Sequence, residues 1–340
     1  DFCLSRGLGD VYKRQVVNIP LASILPTLTD DMNERTVLAT WRKFFAFMGS
    51  TIVSATALYL VKIVGNGNEA VGFRVVMGIF GVAGCVCFLL TFALVRENNL
   101  SQTEKSATLK ETIQSAAHNT PWKLFALNIL FMWTGYFIQS SALVYYYKYY
   151  VESAKMATMV ATVMTMVPLV ANLTVPFLAK RFGKRNLYSV SAGLQLAGLA
   201  VIFIGTVNTS VILAGAVISA AGYGCKESIY FSMQADPVDY GEWKTGIQAT
   251  GTLSAINGFL GKVAQAAAGG ISGLLLSWGA YDADAVHQTA NALTAIKMMY
   301  IYIPALLIIC SIITMSFYHL DKEFPQIQKE LEERRKVQNK

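Results

Sequence analysis

The chain has 340 residues, 54% of them hydrophobic and only 14% charged, with a formal net charge of +7. That is too little polar surface to coat a water-soluble globule of this size, so membrane lipid is the expected solvent for most of it. A basic excess would suit a nucleic-acid partner, but the Lys and Arg residues fall in short stretches between apolar runs, so no nucleic acid is expected.

Residues 1–15, DFCLSRGLGDVYKRQ, are polar, Gly-broken and unlike the rest of the chain, and they lack the apolar centre of a signal peptide. They are read as a sequence-assembly artefact outside the fold. Val16 to Leu28 reads as the end of a helix interrupted by Pro20 and Pro26. Beyond it lie seven apolar runs of about 20 residues, each long enough at about 1.5 Å per residue to cross a hydrocarbon layer of about 30 Å. They lie near Phe44 to Val64, Phe73 to Val95, Trp122 to Tyr145, Met156 to Leu178, Leu187 to Val207, Val211 to Met233 and Ala295 to Tyr318. An eighth, Thr252 to Trp278, is rich in Gly and Ala, and its Gly258, Gly261, Gly269 and Gly273 suit a helix packed closely among others. The fold class is therefore an all-α membrane protein of about eight spans. Its expected divisions are 16–95, the end of one half; 96–121, a polar joining loop; 122–318, a complete six-helix half; and 319–340, a charged tail.

The connectors alternate in charge. Lys180, Arg181, Lys184 and Arg185 crowd one, Arg35, Arg42 and Lys43 another, and the tail is basic, while the intervening connectors hold only Lys155. The basic connectors and the tail are expected to face the cytoplasm. Five cysteines without paired spacing predict neither a disulfide nor a metal site. Three scattered histidines, His118, His287 and His319, and the lack of a nucleotide-binding loop argue against both an enzyme and a primary pump.

Charges inside spans are the candidate site. Lys262 sits in mid-span, where a charge needs a wet cavity or a carboxylate. Lys226 and Glu227 are adjacent on one helix and point about 100° apart, so each needs its own partner. For Lys226 a neighbouring helix or the interface would serve as well as a cavity. Asn18 either caps the kink at Pro20 or offers its amide oxygen to a solute. Tyr145, Tyr146, Tyr147, Tyr149 and Tyr150 read mostly as an interfacial belt, with one or two, Tyr146 among them, facing a cavity. Gln139, Ser140, Asn172 and Asn257 are polar positions expected to bond between helices or to share the cavity.

Three stretches carry a family resemblance: NIPLASILPTLTDDMNERTVLATWRKFFAFMG (18–49), AKRFGKRN (179–186) and ADPVDYGEWKTGIQATG (235–251), the last leading into the helix of Lys262. They resemble the glycoside-pentoside-hexuronide:cation symporters of the major facilitator superfamily. The resemblance implies a partial twelve-helix fold beginning late in its fourth helix. It also implies a sugar or glycoside substrate, Na⁺ or H⁺ as coupling cation without another cofactor, the bacterial inner membrane and a monomer. It places Lys262 at the cation and sugar site, Asn18 where the family carries an aspartate, and Glu227 at a substrate-facing position. Asp236, Asp239, Tyr240, Glu242 and Trp243 would form a gate at the cytoplasmic mouth against Arg35, Arg42, Lys180, Arg181 or Arg185; single residues of this set would serve equally as solvated helix ends.

Overall fold

A computed structural model describes residues 28, 32–66, 68–95, 117–205, 208–246, 250–283, 285 and 287–338, with the backbone alone for a few of them. The helices are α1 (Met32–Gly65), α2 (Glu69–Leu94), α3 (Thr120–Tyr145), α4 (Ala154–Phe182), α5 (Lys184–Gly205), α6 (Thr209–Met233), α7 (Asp236–Thr245) and α8 (Thr250–Trp278). After these come α9 (Ala290–Lys297), α10 (Ile303–Ser316) and α11 (Leu320–Gln338). Two π-helical turns extend this pattern: Tyr146–Tyr150 continues α3, and Met298–Tyr302 joins α9 to α10 in one rod.

Among the described residues, seven helical rods are long and apolar enough to cross a membrane: α2, α3, α4, α5, the α6–α7 stretch, α8 and α9–α10. The chain is a multi-pass membrane protein. α1 contains the predicted run Phe44 to Val64 but starts a full three turns earlier, at Met32, and is not among these seven, one fewer than the eight the sequence predicts. Helix starts obey local chemistry: the side chains of Asn68, Asn119, Ser153, Asn208 and Thr289 each accept a bond from a first-turn N–H that would otherwise go unpaired. Large apolar side chains on the outer faces stand open, Phe92 at 88% and Phe177 at 81% exposure, as helices solvated by lipid require.

Among the described residues, close packing through small residues occurs between α5 and α6, and not on α8 as the sequence predicts. A Cβ at Gly198 would fall 2.3 Å from the Ser219 nitrogen, and one at Gly222 would fall 2.4 Å from the Gln195 nitrogen. At Gly258, Gly261, Gly269 and Gly273 it would meet no described atom within 4 Å. Composition reveals small residues but not which helix face has a neighbour. α8 instead buries Leu253, Ala264 and Ala268, on the side where α3 packs.

Two helices arise in segments that the sequence reading treats only as a gate motif and a charged tail. The motif at 236–245 is α7. The segment after His319 is α11, which buries Phe324, Ile327 and Leu331 at helical spacing against the ends of the spans.

Candidate transport site

α1 and α6 run antiparallel and meet along a polar ladder. Thr36 Oγ1 lies 2.8 Å from Ser232 Oγ, and Thr40 Oγ1 lies 3.3 Å from Ser228 Oγ. At the third rung, Lys43 Nζ donates to Glu227 Oε1 at 2.6 Å. The ion pair is nearly dry, with side-chain exposures of 14% and 6%. The Lys43 ammonium also sits 3.7 Å from the centroid of the Phe231 ring, whose negative face offsets part of its desolvation. α4 closes the group, with Asn172 Nδ2 donating to the Thr40 carbonyl at 2.8 Å. Glu227 Oε2 has no hydrogen-bond partner among the described residues.

Glycines set the depth at which α6 delivers these charges. Gly215 and Gly222 seat it against α5, and Gly224 admits Pro168 of α4 to within 2.6 Å of where a Cβ would stand. The expectation that Lys226 and Glu227 diverge is met: Glu227 turns to α1, while Lys226 turns to α5 and donates to Gln195 Oε1 at 2.5 Å. Lys226 is 2% exposed.

One turn from Glu227, Tyr223 stacks on Tyr136 of α3, with ring centroids 4.9 Å apart and planes 7° from parallel. This pair borders a recess of about 220 Å³ between α3, α4, α5 and α6, into which Gln139, Ser140, Thr165, Gln195 and Ser219 bring polar groups. Tyr300, from the second π-helical turn, lines it as well.

At the basic end, Lys184 donates to both oxygens of Asp236 at 2.9 Å, in a pair that is 3% and 1% exposed. Arg185 donates through its side chain to the Met315 and Ser316 carbonyls, and its N–H donates to Asp321 at 2.6 Å. These contacts tie the α4–α5 turn, which passes through Gly183 at φ 78°, to α7 and α11. Trp243 Nε1 donates to Glu330 at 2.6 Å, and Arg334 donates to the Trp243 carbonyl at 2.9 Å. Glu330 is held below the usual glutamate range, chiefly by the bond from Trp243 and then by the one from Gln326.

The remaining sequence candidates are scattered over the fold. Lys262 is exposed on α8, donating to Gln265 on its own helix at 3.2 Å. Asn257 is buried, and neither amide atom has a partner among the described residues. Tyr146 is buried in the helix core rather than on the recess, stacked on Tyr300 at 4.5 Å and on Tyr150 at 5.0 Å. Of the gate set, Asp236 takes Lys184, Asp239 is buried, Tyr240 tilts against Trp243 at 5.8 Å, and Glu242 is half-buried. Arg42 places its guanidinium 5.8 Å from the Phe231 ring; Arg181, on the exposed end of α4, sits 5.5 Å from the Phe182 ring. Asn18 and the side chain of Arg35 lie outside the described residues.

Sequence reasoning missed Lys43, Gln195, Tyr136 and Tyr223. For Lys43 a signal existed: Thr36, Thr40 and Lys43 keep i, i+4, i+7 spacing, one polar stripe on one helix face. Grouping Lys43 with the loop charges hid it.

Membrane-spanning helices that enclose a charge pair and a polar recess define a polytopic membrane carrier. A family model described as MFS/sugar transport protein matches residues 14–322. The chain is 34% identical over 328 residues to the isoprimeverose transporter of Lactiplantibacillus pentosus, covering 95% of this chain and 68% of that protein. It is 27% identical over 337 residues to the glucuronide carrier protein homolog of Escherichia coli (strain K12), covering 98% and 72%. A bacterial homologue of the iron transporter ferroportin, solved in an outward-facing state, shares the fold with a TM-score of 0.66 at 15% identity, over 89% of this chain and 69% of that one. The chain belongs to the MFS/sugar transport protein family, in agreement with the resemblance read from its motifs.

Proposed function

We propose that the protein is a secondary transporter of the glycoside–cation symport type, moving a sugar or glycoside across the bacterial inner membrane by alternating access. The observation that carries this reading is the buried Lys43–Glu227 pair between α1 and α6 with one carboxylate oxygen left open. A carboxylate is the strongest acceptor for sugar hydroxyls, and here it already holds a cation that a substrate can share or displace. A ligand shifts a two-state carrier only by binding the states unequally, and a contact between helices that move relative to one another supplies that difference. The coupling cation is Na⁺ or H⁺. The basic connectors and α11 face the cytoplasm, where α7 and its partners serve as the inner gate, and the working unit is a monomer within membrane lipid.

The test is uptake of radiolabelled isoprimeverose and a glucuronide by the full-length protein in proteoliposomes, with and without an imposed Na⁺ or pH gradient. Accumulation that requires one gradient is expected; equal accumulation without any gradient overturns symport, and binding without passage identifies a receptor. Glu227→Gln is expected to abolish gradient-driven uptake while leaving membrane insertion intact, because removing a charge from a span does not hinder insertion. Near-normal uptake places Glu227 outside the site.

A further inference from the structure

We infer that the two π-helical turns, Tyr146–Tyr150 and Met298–Tyr302, form a register hinge inside the bundle, through which Tyr300 reshapes the wall of the recess during the carrier's cycle. The inference rests on the transport reading above for that cycle, and it adds a movement between helices that rigid rocking would leave fixed.

Both turns are wide by one residue. The Val151 N–H reaches back five residues to the Tyr146 carbonyl at 3.1 Å, and the Ile303 N–H reaches back five to the Met298 carbonyl, where an α-helix uses four. The second turn has its cause in the sequence. Pro304 has no N–H to give the Tyr300 carbonyl four residues earlier, and its ring crowds that carbonyl, so the helix widens just before it. The first turn closes α3 where the backbone leaves the helix: Glu152 stands at φ 56°, and the Ser153 N–H donates to the Tyr147 carbonyl at 2.9 Å.

The two wide turns lie against each other. Tyr146 stacks on Tyr300 with ring centroids 4.5 Å apart, and the Tyr147 hydroxyl lies 3.1 Å from that of Tyr300; all three residues are at most 1% exposed. Tyr150 stacks on Tyr146 and carries the Lys297 ammonium 4.5 Å from its ring, which extends the cluster into α9. Tyr300 also lines the recess. Rings interlocked in this way move together or not at all. Passing the Met298 carbonyl from the Ile303 N–H to the Tyr302 N–H replaces one backbone bond by another, and it carries Tyr300 about 100° around the helix and about 1.5 Å along it, away from Tyr146 and out of the recess wall. Below Pro304 the same two rods are held: a Cβ at Gly135 of α3 would stand 3.4 Å from the Leu307 Cβ of α10. The Gln139 Nε2 and Ser219 Oγ atoms of the recess are buried without a partner among the described residues, which a wall completed in a second state accounts for.

The test uses the full-length protein in proteoliposomes, in a cysteine-free background, with uptake of radiolabelled isoprimeverose as the readout. Tyr146→Cys with Tyr300→Cys, bridged by a short bis-methanethiosulfonate, ties the two wide turns. Gly135→Cys with Leu307→Cys, close to the disulfide Cβ spacing of about 3.8 Å, ties the same rods below Pro304. Bridging the turns should lower uptake about ten-fold or more, with recovery in dithiothreitol, whereas bridging Gly135 to Leu307 should change it less than about two-fold. Equal tolerance of both bridges overturns the hinge, because rocking of these helices as one rigid body leaves both contacts untouched; equal loss from both overturns it as well. Should the tyrosine changes themselves abolish uptake, hydrogen exchange followed by mass spectrometry compares the wild type with Pro304→Ala. In the wild type both wide turns should exchange about ten-fold or more faster than the rest of α10, and Pro304→Ala, which frees the α-helical spacing, should slow both together. No slowing, or slowing at 298–302 alone, overturns the coupling. Absence of any uptake by the unbridged wild type removes the transport reading, while the exchange comparison still decides the hinge.

Discussion

Lys43 and Glu227, 184 positions apart in sequence, meet at 2.6 Å and join α1 to α6 through the most buried charge contact between those helices. Among the described residues, neither has a second ion pair that would hold it in place. Removing either one strands a buried charge, which costs on the order of 3 kcal/mol. In a double-mutant cycle, Lys43→Met and Glu227→Gln should each lower the thermal midpoint, and the double variant should lower it by less than the sum. A coupling of about 1–3 kcal/mol is expected; strictly additive losses would show that the contact carries no energy.

Lys184 and Asp236 offer a contrast, because both belong to the helices beyond residue 116 and their pair is drier still. Lys184→Met should destabilise by about 3–5 kcal/mol, while Lys184→Met combined with Asp236→Leu should recover most of that loss, as apolar replacement of buried pairs often does. Thermal unfolding in detergent checks this. A double variant no more stable than the single one would mean that Asp236 has a larger task at the start of α7.

The α5–α6 seam predicts a sharp difference between two glycines on one helix. Gly198→Ala drives a methyl group into the Ser219 backbone, 2.3 Å away, and should cost about 1–3 kcal/mol by forcing the helices apart. Gly193→Ala meets nothing within 4 Å and should be neutral, or stabilising by up to about 1 kcal/mol through helix propensity. Similar melting temperatures for the two variants would refute the seam.

Docking of α11 should depend on pH through Glu330. Its pKa is depressed in the folded state, chiefly by Trp243, so its contribution is fully present above the ordinary glutamate range and fades as pH falls through the depressed value. Emission from Trp243, in a variant whose other four tryptophans are Phe, should shift on acidification below that range, and Glu330→Gln should remove the pH dependence. A shift that persists in Glu330→Gln would assign it to another group.

Residue type and spacing were enough to reveal the spans, because a bilayer accepts only helices whose apolar length matches its thickness, and that requirement is local. The same holds for the divergence of Lys226 and Glu227, which is a consequence of helix pitch. The helices α7 and α11 were missed because polar, amphipathic segments declare themselves only through what they bury. Phe324, Ile327 and Leu331 needed the ends of the spans to pack against.

What the sequence determined by itself is therefore the solvent of this protein, its spans and the family its motifs point to. The tertiary structure alone decided partnership. It brought Lys43 out of a loop reading and onto Glu227, gave Lys226 to Gln195, moved close glycine packing from α8 to α5 and α6, and buried Tyr146 while Tyr136 and Tyr223 took the recess. The physical reason is that a charged or polar side chain within a membrane must find a partner on another helix, and which helix stands opposite is a property of packing that one-dimensional spacing does not contain.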